Sequence, residues 1–518
     1  MQENTTSATV YLVGAGPGDP GLITVRAREL LETADILVYD YLASEPVMAY
    51  ANPGAERIFV GKKGFAKHLT QAEINNLLVK TAQEHPGKRI VRLKGGDPYV
   101  FGRGGEEALA LKAAGIGFEV VPGVTAGIAA PAYAGIPVTH RTCSSSVTLV
   151  TGHEMAGKPE SAIDWDALGK LNGTLCLYMG IHDLPHISEQ LIFHGKPAST
   201  PVALVRWGTT PQQETLTGTL ETIASLAEEA NFQAPAMIVV GEVVSLRDKL
   251  DWFESCPLFG RTVVVTRSRA QASSTTSQLR ALGAQVFEYP SIAIAPRVLD
   301  EGQLAIFHNL SRYDWIVLTS ANGVECFMAD IEKAGLDSRA LAGVKIASIG
   351  PATARALKAH GLTPDLIPPR FIAESIASSL IEQGVGAGSR ILLARAAAAR
   401  NALHHLLENA GASVDVMPLY DTVMPSLGEA TEELVDKLRA GAIDAVTFTS
   451  SSTARNFVAS LDQSVGAEER DNLLENVKLA SIGPVTSETL RAAGLEIAAE
   501  ADPYTIPGLI ACLTKLFA

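Results

Sequence analysis

The chain has 518 residues, long for a single hydrophobic core, so two or more domains are expected. Its 47% hydrophobic and 6% aromatic content is that of an ordinary globular protein, and a formal net charge of −14 argues against nucleic-acid binding by the chain as a whole, because phosphate contacts need a basic face. No uninterrupted apolar run reaches the length of a membrane span, and MQENTTSATV lacks the basic and apolar regions of a secretion signal, so the expectation is a cytoplasmic protein with no membrane partner.

The first element is a strand running into the glycine-rich loop YLVGAGPGDPGLIT, residues 11–24. A dinucleotide fingerprint needs G-x-G-x-x-G and an acid about twenty positions on. Gly14 and Gly16 fit, but the place of the third glycine holds Asp19, and Pro17 and Pro20 remove N–H donors that a phosphate cradle uses. Asp40, at the end of DILVYD, imitates the ribose acid and keeps a nicotinamide oxidoreductase as a rival reading. Further strands follow in KRIVRLKGG, GFEVVPG, TLCLYMG, PVALVRWG and APAMIVVGEVV, alternating with helical patterns, which predicts an α/β fold with a largely parallel sheet.

The most unusual stretch is RLKGGDPYVFGRGGEE, residues 92–107, with five glycines and the cations Arg92, Lys94 and Arg103 between a strand and a helix. Glycines let a ligand touch backbone, and Asp97 supplies an acceptor where a phosphate site would want donors, so a ligand with hydroxyls or an amine is favoured over a polyphosphate. Such turns belong at the carboxyl ends of strands, where α/β folds place their sites. The segment LRDKLDWFESCPLFGR closes one unit and RTVVVTRSR opens another, with the boundary near residues 255–260. Cys143, Cys176, Cys256, Cys326 and Cys512 are scattered and form no C-x-x-C pair, so neither disulfides nor zinc are expected. His404 and His405 are adjacent and should diverge on a helix; no metal site is expected.

The second half repeats itself. YDWIVLTSANGVECF, residues 313–327, matches IDAVTFTSSSTARNF, residues 443–457, with Ser320 shifted 130 positions to Ser450. VKIASIGPATARALKAHGL matches VKLASIGPVTSETLRAAGL, with Thr353 shifted 133 positions to Thr486, and RFIAESIASSLIEQ matches PYTIPGLIACLTKL at the same shift. A duplicated α/β lobe with a ligand cleft follows. The hydroxyls at these helix starts are either N-caps or carboxylate ligands, and a mirrored set around one cleft adds weight to the second.

VGAGPGDPGLIT, LVYDYL, FVGKK, LKGGDPYVFGRGGEE, PGVTA, YMG and GTTPQQ occur in the order and approximate spacing of uroporphyrinogen-III C-methyltransferases, a group of tetrapyrrole methylases that residues 8–255 therefore resemble. Residues 260–518 resemble uroporphyrinogen-III synthases through the two-lobe repeat, the opening VVVTR, the SIGPxT turns and PLYDT. The resemblance implies two two-lobed α/β modules, with one synthase lobe built from 260–297 plus 421–518 and the other from 298–420.

The methylase resemblance implies S-adenosylmethionine bound by Pro17, Gly95, Gly96, Asp97, Val100, Thr125, Ala126, Met179 and Gly208, with Asp40 as base and Lys62 as proton donor. The substrate's eight carboxylates call for a local cationic mouth, for which Lys63, Arg92, Lys94, Arg103 and Arg141 are candidates. In the synthase half the resemblance implies Tyr420 as acid, with Thr319, Ser320, Ser450 and Thr486 on the substrate's carboxylates. The combined expectation is a bifunctional enzyme that closes hydroxymethylbilane to uroporphyrinogen III and methylates it twice to precorrin-2, toward sirohaem or cobalamin, as a homodimer through the first half. A methyltransferase carrying a non-catalytic two-lobe ligand-binding module is the alternative.

Overall fold

Among the described residues, short apolar runs rich in valine, leucine and isoleucine form four five-stranded sheets, two in each half of the chain. The computed structural model describes residues 9–61, 69–152, 163–267, 269–425 and 428–518. The first sheet has the order β3 (Glu56–Phe59), β2 (Ile36–Tyr39), β4 (Arg89–Lys94), β1 (Thr9–Gly14), β5 (Phe118–Val121), every neighbour parallel. Its central strands bury apolar residues on both faces because helices cover both. Val13, Leu37, Val91 and Leu93 pack with Leu30 and Leu31 on one side, and Leu12, Val38 and Ile90 pack with Leu78 and Leu111 on the other.

The second sheet has the order β6 (Val147–Thr151), β7 (Thr174–Tyr178), β10 (Ala236–Val240), β8 (Pro201–Arg206), β9 (Glu214–Thr219). Here the expectation of a largely parallel sheet is corrected: only β6 and β7 run parallel, and β10 is antiparallel to both β7 and β8, as β9 is to β8. Strand runs in sequence carry no direction, and the short β8–β9 connection permits only a hairpin. The chain passes from its first compact unit to its second at Arg261–Thr262.

In the second unit one sheet has the order β12 (Gln285–Glu288), β11 (Thr262–Val265), β18 (Ala445–Phe448), β19 (Lys478–Ser481), β20 (Ala499–Glu500). The other has the order β13 (Ala293–Pro296), β17 (Ser413–Val423), β16 (Arg390–Ala396), β14 (Trp315–Leu318), β15 (Lys345–Ser348). The repeat is visible in the register: Trp315 pairs with Lys345 in one lobe as Ala445 pairs with Lys478 in the other. The lobe limits expected at 297/298 and 420/421 need correction. β13 pairs antiparallel with β17, Ile294 opposite Thr422, so residues 293–296 and 421–423 belong to the second lobe's sheet. Sheet membership is decided by pairing between distant segments, which repeat comparison does not see. No helix among the described residues is long and apolar enough to cross a membrane.

Two glycines of the first unit test how far backbone contact governs the fold. A Cβ on Gly123 would stand 2.2 Å from the Gly96 carbonyl oxygen, whereas one on Gly105 would have no heavy atom within 4 Å. Gly123→Ala is expected to cost about 3 kcal/mol and Gly105→Ala, inside a helix, to be neutral or to stabilise by up to about 1 kcal/mol. Thermal denaturation of the two variants checks both signs.

Candidate active sites

Three backbone segments touch at the carboxyl ends of β1, β4 and β5. Gly16 and Gly96 form an antiparallel bridge, the Gly96 N–H donating to the Gly16 carbonyl at 2.7 Å and the Gly16 N–H to the Gly96 carbonyl at 3.2 Å. A Cβ on Gly14 would lie 2.5 Å from the Gly123 nitrogen, and one on Gly95 would lie 2.6 Å from Leu42 Cβ. Asp97 ties the floor together: Oδ2 accepts from the Gly123 N–H at 3.0 Å and Oδ1 from the Tyr99 N–H at 2.8 Å. Each oxygen keeps lone-pair capacity for a ligand donor.

The opening loop is organised by Asp19. Its Oδ1 accepts from the Gly21 N–H at 2.7 Å, its Oδ2 accepts from the Tyr133 hydroxyl at 2.6 Å, and its N–H donates to Thr209 Oγ1 at 3.1 Å. Burial, followed by the bond to Asp19, pushes the Tyr133 phenol well above its usual range. The donors that a pyrophosphate would need are thus engaged by the protein's own carboxylate and threonine, which removes the physical basis of the dinucleotide reading.

The second lobe of this unit meets the floor through Tyr178, which sequence reasoning passed over although it sits beside Met179. Thr125 holds the N-cap position of helix Ala126–Tyr133 without capping it by its side chain. Its hydroxyl instead meets the Tyr178 hydroxyl at 2.7 Å, and that hydroxyl accepts from the Gly127 N–H at 2.9 Å. Burial raises the Tyr178 phenol, while Thr125 and Gly127 oppose the shift. The Phe101 ring packs 4.8 Å from that of Tyr178. Met179 follows β7 and is about half exposed; Gly208 follows β8, where a Cβ would lie 2.3 Å from Ala130 Cβ. Pro17, Val100 and Ala126 are half-buried on the loops after β1, β4 and β5. Five of the six non-glycine residues with positive φ among the described residues, Phe101, Arg103, Met179, Trp207 and Thr209, fall on these loops. Strain of this kind persists where surrounding structure holds it and clusters at ligand sites.

Of the cations expected at the mouth, the described ones are differently placed. Arg92 and Lys94 alternate along β4 onto one face and are almost wholly buried. Arg92 Nε and Lys94 Nζ donate to Glu107 Oε1 at 3.2 and 2.9 Å, and Arg92 Nη2 donates to Asp40 Oδ2 at 3.1 Å. Burial, then the Arg92 charge, lowers the Lys94 pKa against the opposing pull of Glu107. A central strand directs its side chains into the helix-covered faces, not out of its end. Glu107, absent from the sequence candidates, is fully buried, and its second oxygen has no partner among the described residues. Asp40 remains partly open, its side chain 21% exposed, with Oδ1 accepting from the Leu42 N–H. Arg103 is exposed and paired with Glu106 at 2.8 Å. Arg141 lies in the turn leading to the amino end of β6, beside Gly173 before β7, and therefore at the opposite end of that sheet from Met179. Lys62 and Lys63 lie outside the described residues.

In the second unit Ser320 and Ser450 hold equivalent places. Ser320 Oγ accepts from the Gly323 N–H at 2.9 Å and Ser450 Oγ from the Thr453 N–H at 3.2 Å, so both are N-caps. Ser320 Oγ also meets the Tyr420 hydroxyl at 2.8 Å. Tyr420 is buried, and burial raises its phenol while Ser320 opposes the rise. Thr319 is half-buried beside Ser320. Thr486 is buried in the first turn of helix Pro484–Ala492, as Thr353 is in its own helix. His404 and His405 do not diverge as expected; both reach Glu408, at 3.3 and 3.8 Å, as side chains four and three apart on a helix can.

Residues 9–224 match the family model of tetrapyrrole (corrin/porphyrin) methylases, and residues 273–511 match that of uroporphyrinogen-III synthase HemD. A porphyrin biosynthesis protein HemD of Ruminiclostridium josui is 39% identical over 507 residues, 98% of this chain and 98% of that protein. An S-adenosyl-L-methionine-dependent uroporphyrinogen III methyltransferase of Methanosarcina barkeri is 54% identical over 46% of this chain and 94% of its own length. A uroporphyrinogen-III C-methyltransferase of Synechocystis is likewise 54% identical, over 47% of this chain and 92% of its own.

The buried charges make a paired prediction. Glu107→Gln keeps the side chain's shape and leaves Arg92 and Lys94 without their shared anion, so stability falls by about 3 kcal/mol or more. Glu106→Gln, on the exposed pair with Arg103, changes stability by less than about 1 kcal/mol. Urea denaturation midpoints of the two variants provide the comparison.

Proposed function

We propose, from the premise that the chain belongs to the tetrapyrrole methylases in its first half and to the uroporphyrinogen-III synthases in its second, that it is a bifunctional enzyme of tetrapyrrole synthesis. The second unit closes hydroxymethylbilane to uroporphyrinogen III with inversion of the last ring. The first unit then methylates that product twice, giving precorrin-2. The observation that carries the methylase reading is the glycine floor at the carboxyl ends of β1, β4 and β5, where backbone segments and two clamped carboxylates come together and the nearby cations are neutralised internally.

That floor fits S-adenosylmethionine. Gly95 and Gly96 permit close backbone contact, the remaining lone pairs of Asp97 suit hydroxyl or ammonium donors, and Thr125, Ala126, Met179 and Gly208 line the facing loops. When bound, the cofactor supplies an electrophilic methyl group. The protein's part is to hold the acceptor carbon in line with it and to take up the proton that the ring releases. Asp40 suits the role of proton acceptor, because Arg92 fixes one oxygen from inside the sheet and the carboxylate still reaches solvent. Lys62 is proposed as the proton donor, and Arg103 as the one cation of the described candidates exposed on these loops for substrate carboxylates.

In the second unit the Ser320–Tyr420 pair is proposed to assist departure of the substrate's hydroxyl. The Tyr420 proton passes to that group, which leaves as water, and Ser320 stabilises the phenolate oxygen that remains. Ser450 and Thr319 are proposed to orient carboxylate side chains at the mirrored helix starts.

Supplying hydroxymethylbilane and S-adenosylmethionine anaerobically should give a type III tetrapyrrole carrying two added methyls, read by mass and isomer analysis. Asp40→Asn should lower methyl transfer by about a hundredfold or more while leaving cyclisation intact. Folded protein that yields neither inversion nor added methyls would sink the proposal, and methylation without inversion would favour a non-catalytic second unit.

A further inference from the structure

The third repeated segment of the second half does not enter the proposed chemistry, yet it places the same object in both lobes. Phe371 and Tyr504 are equivalent at the 133-residue shift. Each ring lies on the glycine of an SIGP turn: a Cβ on Gly350 would stand 3.1 Å from Phe371 Cγ, and one on Gly483 would stand 3.3 Å from Tyr504 Cγ. Gly350 has φ −175° and Gly483 φ 166°, extended backbone open to any residue. At these two positions it is the ring, and not the turn, that crowds a side chain.

The rings are not core residues. Phe371 is 53% exposed and Tyr504 63% exposed, whereas Phe327 and Phe457 in the same lobes are fully buried. A single exposed aromatic needs no explanation. Two at equivalent positions, each packed against the glycine of a matching turn, are a repeated surface feature. Beside each ring a helix begins, Pro351–Ala359 and Pro484–Ala492, whose N-cap glycine offers no side-chain acceptor to the first-turn N–H groups.

A pyrrole of a linear tetrapyrrole matches this arrangement: a flat, electron-rich ring with acetate and propionate on its edge. We propose that Phe371 and Tyr504 are paired stacking platforms, one per lobe, each taking the face of one pyrrole of hydroxymethylbilane and directing its carboxylates toward the adjacent helix start. The assignment rests on reading the second unit as the synthase. Two rings held at separate points of the chain hold it folded for inversion, whereas an unheld chain closes without inverting.

The test uses the full chain with Phe371→Leu, Tyr504→Leu, the double variant, and the interchanges Phe371→Tyr and Tyr504→Phe. Leucine keeps an apolar cover on the glycine and removes the aromatic face. Each leucine variant should raise the KM for hydroxymethylbilane about five- to tenfold and the double variant by about the product of the two. The uninverted isomer should increase alongside, and the interchanges should restore wild-type values. Thermal midpoints, and methyl transfer to preformed uroporphyrinogen III, should stay at wild-type values. Leucine variants with unchanged KM and isomer ratio overturn the proposal, as does a KM rise that tracks a lowered thermal midpoint. A wild-type chain that forms no inverted isomer overturns the synthase reading instead.

Discussion

Backbone pressed against backbone is the constraint on which the first unit depends. Gly14, Gly96 and Gly123 bring the ends of β1, β4 and β5 so close that no Cβ is tolerated at Gly14 or Gly123, and the surface there is made of peptide groups. The rest of the site follows from holding that contact. Asp97 ties two of the segments by accepting their N–H groups, and Asp19 ties the opening loop to Tyr133 and Thr209. Tyr178 anchors the start of helix Ala126–Tyr133 through Thr125 and Gly127. The loops that complete the floor carry the left-handed residues, because chain forced into fixed positions from several sides has few conformations left.

Charge is handled in the same internal way. Arg92, Lys94, Asp40 and Glu107 form a connected set in which three members are almost fully buried. Burying an ion is costly unless it is paired, so such a set stands or falls together. Its consequence for function is that Asp40 alone reaches the surface, with its orientation set from within. The cations nearest the glycine floor, Arg92 and Lys94, are already neutralised from within.

The second unit reaches function by duplication. Matching register pairs, matching N-cap serines and matching aromatic rings over matching glycines show that the two lobes kept the same groups at the same strand ends. Tyr420 breaks the symmetry. It comes from β17, the strand that also holds β13 across the lobe's edge, and it closes on Ser320. The groups proposed to bind are thus shared between lobes, while the group proposed to move a proton belongs to one.

Much of the architecture was legible in the residues. Alternation of apolar runs with helical patterns predicts α/β units, the LTS/FTS and SIGPxT repeats predict the duplicated lobes, and the glycines of GGDP predict backbone contact, because local propensity and spacing are properties of short segments. Strand direction in the second sheet, the membership of β13, and the fate of Arg92 and Lys94 were not, since each depends on which distant segment lies alongside. The sequence by itself determined which segments form strands, where glycine must stand, and which hydroxyls begin helices. Only the tertiary structure decided that Arg92 and Lys94 face inward to Glu107, that Arg141 sits at the far end of its sheet, and that Tyr178 and Tyr133 join the site. A side chain's chemistry is written in the chain, but its partners are set by packing between residues far apart in it.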